Sequence, residues 1–175
     1  MDGQIPEKFN EMNWSDLQES RPLKPIAKSK TMAESAAWQY LKDAQGEGED
    51  IFDLTVINPG YLVGPQFVKR YSVMSTIIGY LLDNKLPSGA LPRIMIPVVD
   101  VRDVAKAHLL AIKSDEAQGE RYIVCSTSMW MRDIALALSE TFTPLNYSIP
   151  TNETNYWVVK VASLWYKEAR KVLPQ

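Results

Sequence analysis

The stretch KPIAKSKTMAES, residues 24–35, contains a lysine that could take part in chemistry. Lys30 follows Ile26 by four residues, and side chains at this spacing lie on the same face of a helix. An ammonium group can lower the pKa of a neighbouring acid by Coulomb attraction, or it can donate hydrogen bonds to a ligand. Isoleucine has no proton to donate. Without an acid beside it, Lys30 is more simply a solvated lysine on a helix.

Other side chains of reactive types also have simple structural interpretations. Asp100 and Asp103 lie where a helix is expected to begin, and a carboxylate there accepts backbone N–H groups and complements the helix dipole. His108 falls on the apolar face of that helix, as a packed or snorkelling histidine does, and Cys125 ends a strand as a small core residue. One cysteine and one histidine exclude an internal disulfide and make a zinc site implausible. The sequence predicts no metal site and no paired-carboxylate hydrolase.

The composition is that of one globular domain. The chain has 175 residues, of which 46% are hydrophobic and 23% charged, so it can bury a core. A net charge of -2 gives no electrostatic footprint for nucleic acid or an anionic membrane. No apolar run reaches the roughly 20 residues that span a bilayer, and the start lacks a signal-peptide pattern. We therefore expect a single domain over residues 1–175 and a cytoplasmic location.

The apolar spacing predicts helices alternating with strands. Residues 126–128, with the sequence STS, are expected to cap a helix that carries Ile134, and Thr151 or Asn152 to cap a last helix. Strands separated by helices need crossover connections, which favour an α/β fold with a parallel sheet. The other predicted elements are a helix over 26–44, a buried strand within 51–65, a helix over 69–84, a short strand from 93 that leads into a helix near 100–114, and a strand over 121–125.

Three motifs occur in a recognisable order: SKTMAESAAW at 29–38, FDLTVINPGYLVGP at 52–65 and PVVDVRDVAKAHLLA at 97–111. This series resembles the later half of an extended short-chain dehydrogenase/reductase, of the NAD-dependent epimerase/dehydratase superfamily. It is nearest to the dihydroflavonol reductase, cinnamoyl-CoA reductase and ketone or aldehyde reductase branch. FNEMNWSDL, at 9–17, is similar to the loop that precedes the tyrosine helix in that branch. The resemblance implies a partial Rossmann-like parallel sheet that lacks its N-terminal dinucleotide-binding βαβ units, with a small substrate-side lobe.

The resemblance also implies a catalytic pattern, Tyr-x-x-x-Lys. The tyrosine is the general acid for the carbonyl oxygen, and the lysine lowers the phenol pKa and hydrogen-bonds the nicotinamide ribose. Lys30 matches that lysine, whereas Ile26 occupies the position of the tyrosine. Loss of general acid catalysis costs about 10² to 10⁴-fold in rate. We therefore expect an inactive, truncated relative of these enzymes, in other words a pseudoenzyme.

The cofactor implied by the resemblance is NADP or NAD, with NADP ahead by analogy. The family holds the diphosphate in a Gly-x-x-Gly-x-x-Gly turn, and the sequence has no such spacing. The alternative is therefore that this chain binds no cofactor itself. For Pro59 and Gly60 a simple turn is an equally good explanation, and for Ser72 a helix start is the simpler one. The cofactor-binding candidates carried over by resemblance are Lys30, Pro59, Gly60, Tyr61, Leu62 and Ser72.

Two functions follow from the sequence. The first is that of an NAD(P)-dependent oxidoreductase acting on a carbonyl or secondary alcohol, with a small-molecule substrate only where a complete enzyme is formed. The alternative is a non-enzymatic interaction module or scaffold that pairs with another chain. A sheet without its first strands exposes an edge, so we expect a homo- or hetero-oligomer through that edge or through the helices at 26–44 and 69–84.

Overall fold

The computed structural model describes residues 10–17, 25–46, 52–68, 72–86 and 89–154. Two short 3₁₀ helices, Asp115–Ala117 and Thr143–Leu145, accompany the main elements. The main elements are, in chain order, α1 (Pro25–Gly46), β1 (Val56–Pro59), β2 (Tyr61–Val63), α2 (Val73–Leu82), β3 (Met95–Asp100), α3 (Val101–Lys113), β4 (Arg121–Val124), β5 (Thr127–Trp130) and α4 (Met131–Phe142). The predicted α/β class is confirmed.

The chain folds into two compact units. Unit 1 comprises the described residues up to Asn58 together with Lys106–Val124, and unit 2 comprises Pro59–Ala105 with the described residues from Cys125 onwards. β1 pairs with β4 in a two-stranded sheet, and β2, β3 and β5 form a three-stranded sheet in that order. Across the described ranges, no helix combines the length and the hydropathy that crossing a membrane requires.

The first helix confirms the predicted helix over 26–44. α1 begins at Pro25, whose missing N–H costs nothing in a first turn. The helix buries only Leu41 and Ala44 among its described residues, however, and Ala33, Ala36 and Ala37 are exposed. Most of α1 is therefore a solvated surface, and its accessible side chains include Lys30.

Gly60 divides the second motif into two short strands. The predicted single buried strand within 51–65 is wrong in this respect, because β1 and β2 are separate and most of their residues are partly or fully exposed. A Cβ atom at Gly60 would lie 2.8 Å from the carbonyl oxygen of Pro97, so only glycine allows this close approach. β2 then pairs with β3 in parallel, with Tyr61 opposite Val98.

The strand β5 was not predicted. Thr127 and Ser128 were expected as helix caps, but they pair with β3 in an antiparallel ladder in which Met95 lies opposite Trp130. The free edge of β3 offers backbone hydrogen bonds to these residues, and this pairing prevails over a capping role. α4 therefore begins only at Met131, with Trp130 at the N-cap and no side-chain cap hydrogen bond.

The core of unit 2 lies between its sheet and two helices. α2 is shorter than the predicted helix over 69–84, and it directs Met74 and Leu81 inwards as its apolar stripe predicts. Ile134 and Ala135 of α4 join them. The buried cluster contains Met74, Leu81, Leu91, Ile96, Val98, Met131, Ile134 and Ala135.

α3 begins as predicted but does not bury all of its predicted face. Val104 is buried, whereas His108 and Ile112 are exposed. Of the two interpretations of His108, the packed one is therefore wrong, and the snorkelling one stays a prediction. Cys125, directly after β4, is exposed as well, so the prediction of a core residue is wrong. Asp100 does accept the backbone N–H of Arg102 at 2.8 Å, which confirms its predicted helix-start role.

The last predicted helix, with Thr151 or Asn152 as its cap, lies outside the described residues. Before it, the chain forms an isolated parallel bridge between Leu91 and Glu153. The backbone N–H of Leu91 donates to the carbonyl oxygen of Asn152 at 2.8 Å, and the N–H of Thr154 donates to the carbonyl oxygen of Leu91 at 2.8 Å.

Candidate functional site

Unit 1 has a polar cavity of about 350 Å³ beside Lys30, which we call the Lys30 cavity. Three parts of the chain supply its walls: the segment 10–17, the helix α1 and the two-stranded sheet. The lining residues that matter for its chemistry are Trp14, Ser15, Lys30, Glu34, Asn58 and Arg121. The cavity therefore brings the lysine singled out in the sequence together with five residues that were not site candidates.

Glu34 receives several hydrogen bonds at the edge of this cavity. Arg121 Nε donates to Glu34 Oε1 at 2.5 Å, Arg121 Nη2 donates to Oε2 at 3.3 Å, and Trp38 Nε1 donates to Oε1 at 3.4 Å. Burial raises the pKa of Glu34, but the hydrogen bonds from Arg121, Trp38 and Asn58 and the charge of Arg121 outweigh it and lower the pKa below its usual value. Glu34 is therefore a paired carboxylate and not a free general base.

Arg121 also holds the segment 10–17. Its guanidinium carbon lies 3.9 Å from the centroid of the Trp14 ring, and Nη1 donates to the carbonyl oxygen of Glu11. Glu11 Oε1 accepts the backbone N–H of Ile123 at 3.1 Å, and this hydrogen bond lowers the pKa of Glu11. One arginine thus connects the segment 10–17, the helix α1 and the strand β4.

Sequence reasoning missed Glu34 and Arg121. Glu34 lies in the predicted helix over 26–44 and Arg121 begins the predicted strand over 121–125, and neither residue was a site candidate. The ion pair joins residues 87 positions apart, and nothing local in either stretch indicates the other. The fold is needed to show that the two residues meet.

The other predicted cofactor-facing residues belong to unit 2. Leu62 and Ser72 line the same apolar cavity of about 300 Å³, together with Gly64, Phe67 and Val101. Phe67 is fully exposed. The structure therefore brings two of the predicted residues together, in a cavity that suits apolar groups.

Ser72 is the N-cap of α2. Its hydroxyl accepts the backbone N–H of Ser75 at 3.1 Å, and Ser75 Oγ accepts the N–H of Ser72 at 2.6 Å. This reciprocal arrangement is a capping box. The helix-start interpretation accounts for Ser72 without a ligand, and its predicted contact with a phosphate or ribose stays a prediction.

Pro59, Gly60 and Tyr61 lie where β1 ends and β2 begins. Pro59 and Tyr61 are exposed, and Gly60 is fixed by its approach to Pro97. Backbone geometry alone therefore explains why a small residue stands at position 60. The predicted cofactor contacts of these three residues remain predictions.

Comparison with known proteins identifies relatives. No protein-family model matches the chain. NADPH-dependent methylglyoxal reductase GRE2 of Saccharomyces cerevisiae is 35% identical over 151 residues, covering 84% of this chain and 43% of that protein. Cinnamoyl-CoA reductase 2 of Medicago truncatula is 32% identical over 147 residues, covering 81% of this chain and 39% of that protein. This chain is homologous to the extended short-chain dehydrogenase/reductases.

Solved structures of these reductases resemble the fold of this chain as well. Yeast methylglyoxal/isovaleraldehyde reductase Gre2 complexed with NADPH has a TM-score of 0.58 and 34% identity, over 72% of this chain and 40% of that one. Gre2 of Candida albicans in complex with NADPH has a TM-score of 0.62 and 31% identity, over 84% of this chain and 44% of that one. The chain spans less than half the length of the reductases it matches.

The residues present fit only part of a dinucleotide such as NADPH. The Lys30 cavity offers an ammonium, a serine hydroxyl and an amide, a donor set suited to a hydroxyl or another small polar group. A diphosphate needs closely spaced glycines whose N–H groups face an anion. The sequence has no such spacing, and a Cβ at Gly64 would lie 3.3 Å from Asp100 Oδ1, so this glycine adjoins a carboxylate. The chain therefore does not fit the diphosphate.

Proposed function

We propose that this chain is a reductase homologue that does not reduce carbonyl compounds by itself. One observation carries the proposal: Ile26, one helical turn before Lys30, stands in the place of the family's tyrosine. Its side chain is 68% exposed, so a hydrocarbon, without a transferable proton, lies on the face that a phenol would occupy. The homology to NADPH-dependent reductases supports an oxidoreductase ancestry.

The chemistry that remains is binding chemistry. The Lys30 ammonium can donate a hydrogen bond to a hydroxyl group or attract an anion in the Lys30 cavity. A carbonyl oxygen that gains negative charge needs a proton donor in reach, and position 26 offers none. The expected loss in rate from this change alone is about 10² to 10⁴-fold.

The first experiment measures NADPH oxidation by the purified chain. Methylglyoxal and isovaleraldehyde are suitable substrates because they appear in the names of the relatives. We expect no decrease in NADPH absorbance above the rate without protein. Steady oxidation that depends on the chain and on the aldehyde would refute the proposal.

A pair of variants at position 26 distinguishes the effect of the missing phenol from the effect of the missing diphosphate site. Ile26→Tyr supplies a phenol, and Ile26→Phe supplies the same ring without the hydroxyl. We expect both variants to stay inactive, because neither adds a diphosphate site. Activity in Ile26→Tyr but not in Ile26→Phe would show that position 26 is the only deficit and that our conclusion on the cofactor site is wrong.

A second candidate function is that of an interaction module. The exposed side of α3 in unit 1 favours it, because Leu109, Leu110 and Ile112 are 58%, 67% and 82% exposed. Adjacent large apolar side chains in water are typical of a surface that binds another protein. In this function the chain would form a homo- or hetero-oligomer through α3.

Light scattering after gel filtration tests this second candidate. We expect the unmodified chain to be larger than its 19.8 kDa monomer and the Leu110→Ser variant to shift towards the monomer. Leu145→Ser is the matched control, because Leu145 is 62% exposed and lies in a 3₁₀ helix of unit 2. A monomeric unmodified chain, or an equal shift in both variants, would count against binding of a second copy through α3.

A further inference from the structure

We infer that Arg121 is a positioning residue for the Lys30 cavity. Its guanidinium fixes two walls of the cavity at once, the helix that carries Lys30 and the segment that carries Trp14. The inference goes beyond the proposed function, because it concerns how the cavity is built and does not depend on whether NADPH is bound or oxidised.

The first contact fixes the helix. Glu34 follows Lys30 by four residues in α1 and so lies on the same face, one turn further along. Arg121 binds both carboxylate oxygens of Glu34, and the two side chains are only 17% and 14% exposed. A two-point hydrogen bond restrains direction as well as distance. The turn of α1 beside Lys30 is thereby held against β4.

The second contact fixes the segment 10–17. The Trp14 ring lies over the guanidinium at 3.9 Å, and the carbonyl oxygen of Glu11 accepts from Nη1. This segment forms no helix or strand, so it gains no backbone ladder of its own. Arg121 and the hydrogen bond from Ile123 to Glu11 both help to hold it beside the cavity.

Lysine cannot replace arginine in this role. The guanidinium carbon lies over the Trp14 ring while Nε, Nη1 and Nη2 all donate to Glu34 or Glu11. An ammonium is a compact point charge and cannot make this set of contacts at once. Arg121→Lys therefore keeps the charge and loses the geometry. A purely electrostatic role would survive this substitution, and a positioning role would not.

The test observes Trp14 directly by fluorine NMR of the chain labelled with 5-fluorotryptophan. The Trp14→Phe variant assigns the Trp14 resonance by its disappearance. We expect Arg121→Lys to shift or broaden the Trp14 resonance and to leave that of Trp130 unchanged. Trp130 serves as the control because it faces a different arginine, Arg93, whose guanidinium carbon lies 5.7 Å from the ring centroid. Arg93→Lys should give the converse result.

Hydrogen exchange measured by mass spectrometry gives the second measurement. In Arg121→Lys we expect exchange to rise roughly tenfold in residues 10–17 and to stay unchanged in α4. An unchanged Trp14 resonance and unchanged exchange in the folded variant would refute the inference. A uniform rise throughout unit 1 would also refute it, because that result indicates general support of the fold.

Trp14→Leu provides the test if Arg121→Lys does not fold. This variant keeps the ion pair of Arg121 with Glu34 and removes only the aromatic ring that lies against the guanidinium. We expect faster exchange at the Ile123 amide and in residues 10–17, with α1 unchanged. No change at these positions would show that the ring does not hold the segment.

Discussion

Arg121 and Glu34, 87 positions apart in the sequence, form a two-point ion pair in which Nε lies 2.5 Å from Oε1 and Nη2 lies 3.3 Å from Oε2. Ion pairs on the surface contribute little because water screens them. This pair differs because both side chains are largely covered and the carboxylate receives a further hydrogen bond from Trp38. We therefore expect it to matter for the stability of unit 1.

Replacing Glu34 with glutamine should reduce stability. The amide keeps the size of the carboxylate but leaves the Arg121 guanidinium without its counter-charge, and such a loss costs about 1 to 3 kcal/mol. Urea denaturation measures the difference. The matched control is Asp83→Asn, which breaks the exposed pair with Lys85 at 2.8 Å and should cost below about 0.5 kcal/mol. Equal effects in the two variants would contradict the special role of Glu34.

Stability should also depend on pH through Glu34. Its pKa in the folded chain lies below the ordinary value of 4.5, so the folded state binds this proton less readily than the unfolded state does. The stabilisation is complete at pH values above 4.5 and is lost as the pH falls through the lower folded pKa. Urea midpoints between pH 7 and pH 3 measure this effect. The urea midpoint of Glu34→Gln should decline less steeply below pH 4.5 than that of the unmodified chain. An identical decline would contradict the conclusion that Glu34 causes this pH dependence.

Helices were the part of the fold that the sequence predicted best. α1, α2 and α3 each show apolar residues at helical spacing, and their starts agree with the roles of Pro25, Ser72 and Asp100. These signals are local, so a single sequence contains them. Burial was predicted less well, since His108 lies on a predicted apolar face and Cys125 was a predicted core residue, and both are exposed. Whether a face is covered depends on elements distant in the sequence.

The strands were harder to predict for the same reason. β5 contains Thr127 and Ser128, which are typical helix-capping residues, and only the neighbouring edge of β3 makes them a strand. The candidate site combines a local signal with long-range ones. Lys30 was identified from a local motif, whereas its neighbours Glu34 and Arg121 could be identified only from the fold. Local patterns predicted the lysine, and long-range pairing built the cavity around it.

Truncating Leu81 should destabilise unit 2 strongly. Leu81 is completely buried in α2 among Met74, Leu91 and Ile134, so alanine leaves a cavity that its neighbours can fill only in part. Such substitutions cost about 2 to 5 kcal/mol. Leu145→Ala is the control at an exposed position outside the α3 surface and should stay within about 0.5 kcal/mol. Denaturation of both variants measures the difference, and a cost below about 1 kcal/mol for Leu81→Ala would contradict the described core.

The last prediction concerns Gly60, where β2 approaches β3. In Gly60→Ala the new Cβ would lie 2.8 Å from the carbonyl oxygen and 3.1 Å from the carbonyl carbon of Pro97, and backbone atoms cannot move aside as a flexible side chain can. Separating the strands costs hydrogen bonds and packing, so we expect a loss of about 1 to 3 kcal/mol.

Gly79→Ala is the matched control for this prediction, because a Cβ at Gly79 meets nothing within 4 Å and the residue lies inside α2. Alanine is the better helix former by about 1 kcal/mol, so this variant should gain stability. The same glycine-to-alanine change is thus expected to have opposite signs at the two positions, as measured by thermal or urea denaturation. A gain at both positions would show that β2 and β3 do not approach each other at Gly60 as closely as the register of Tyr61 and Val98 requires.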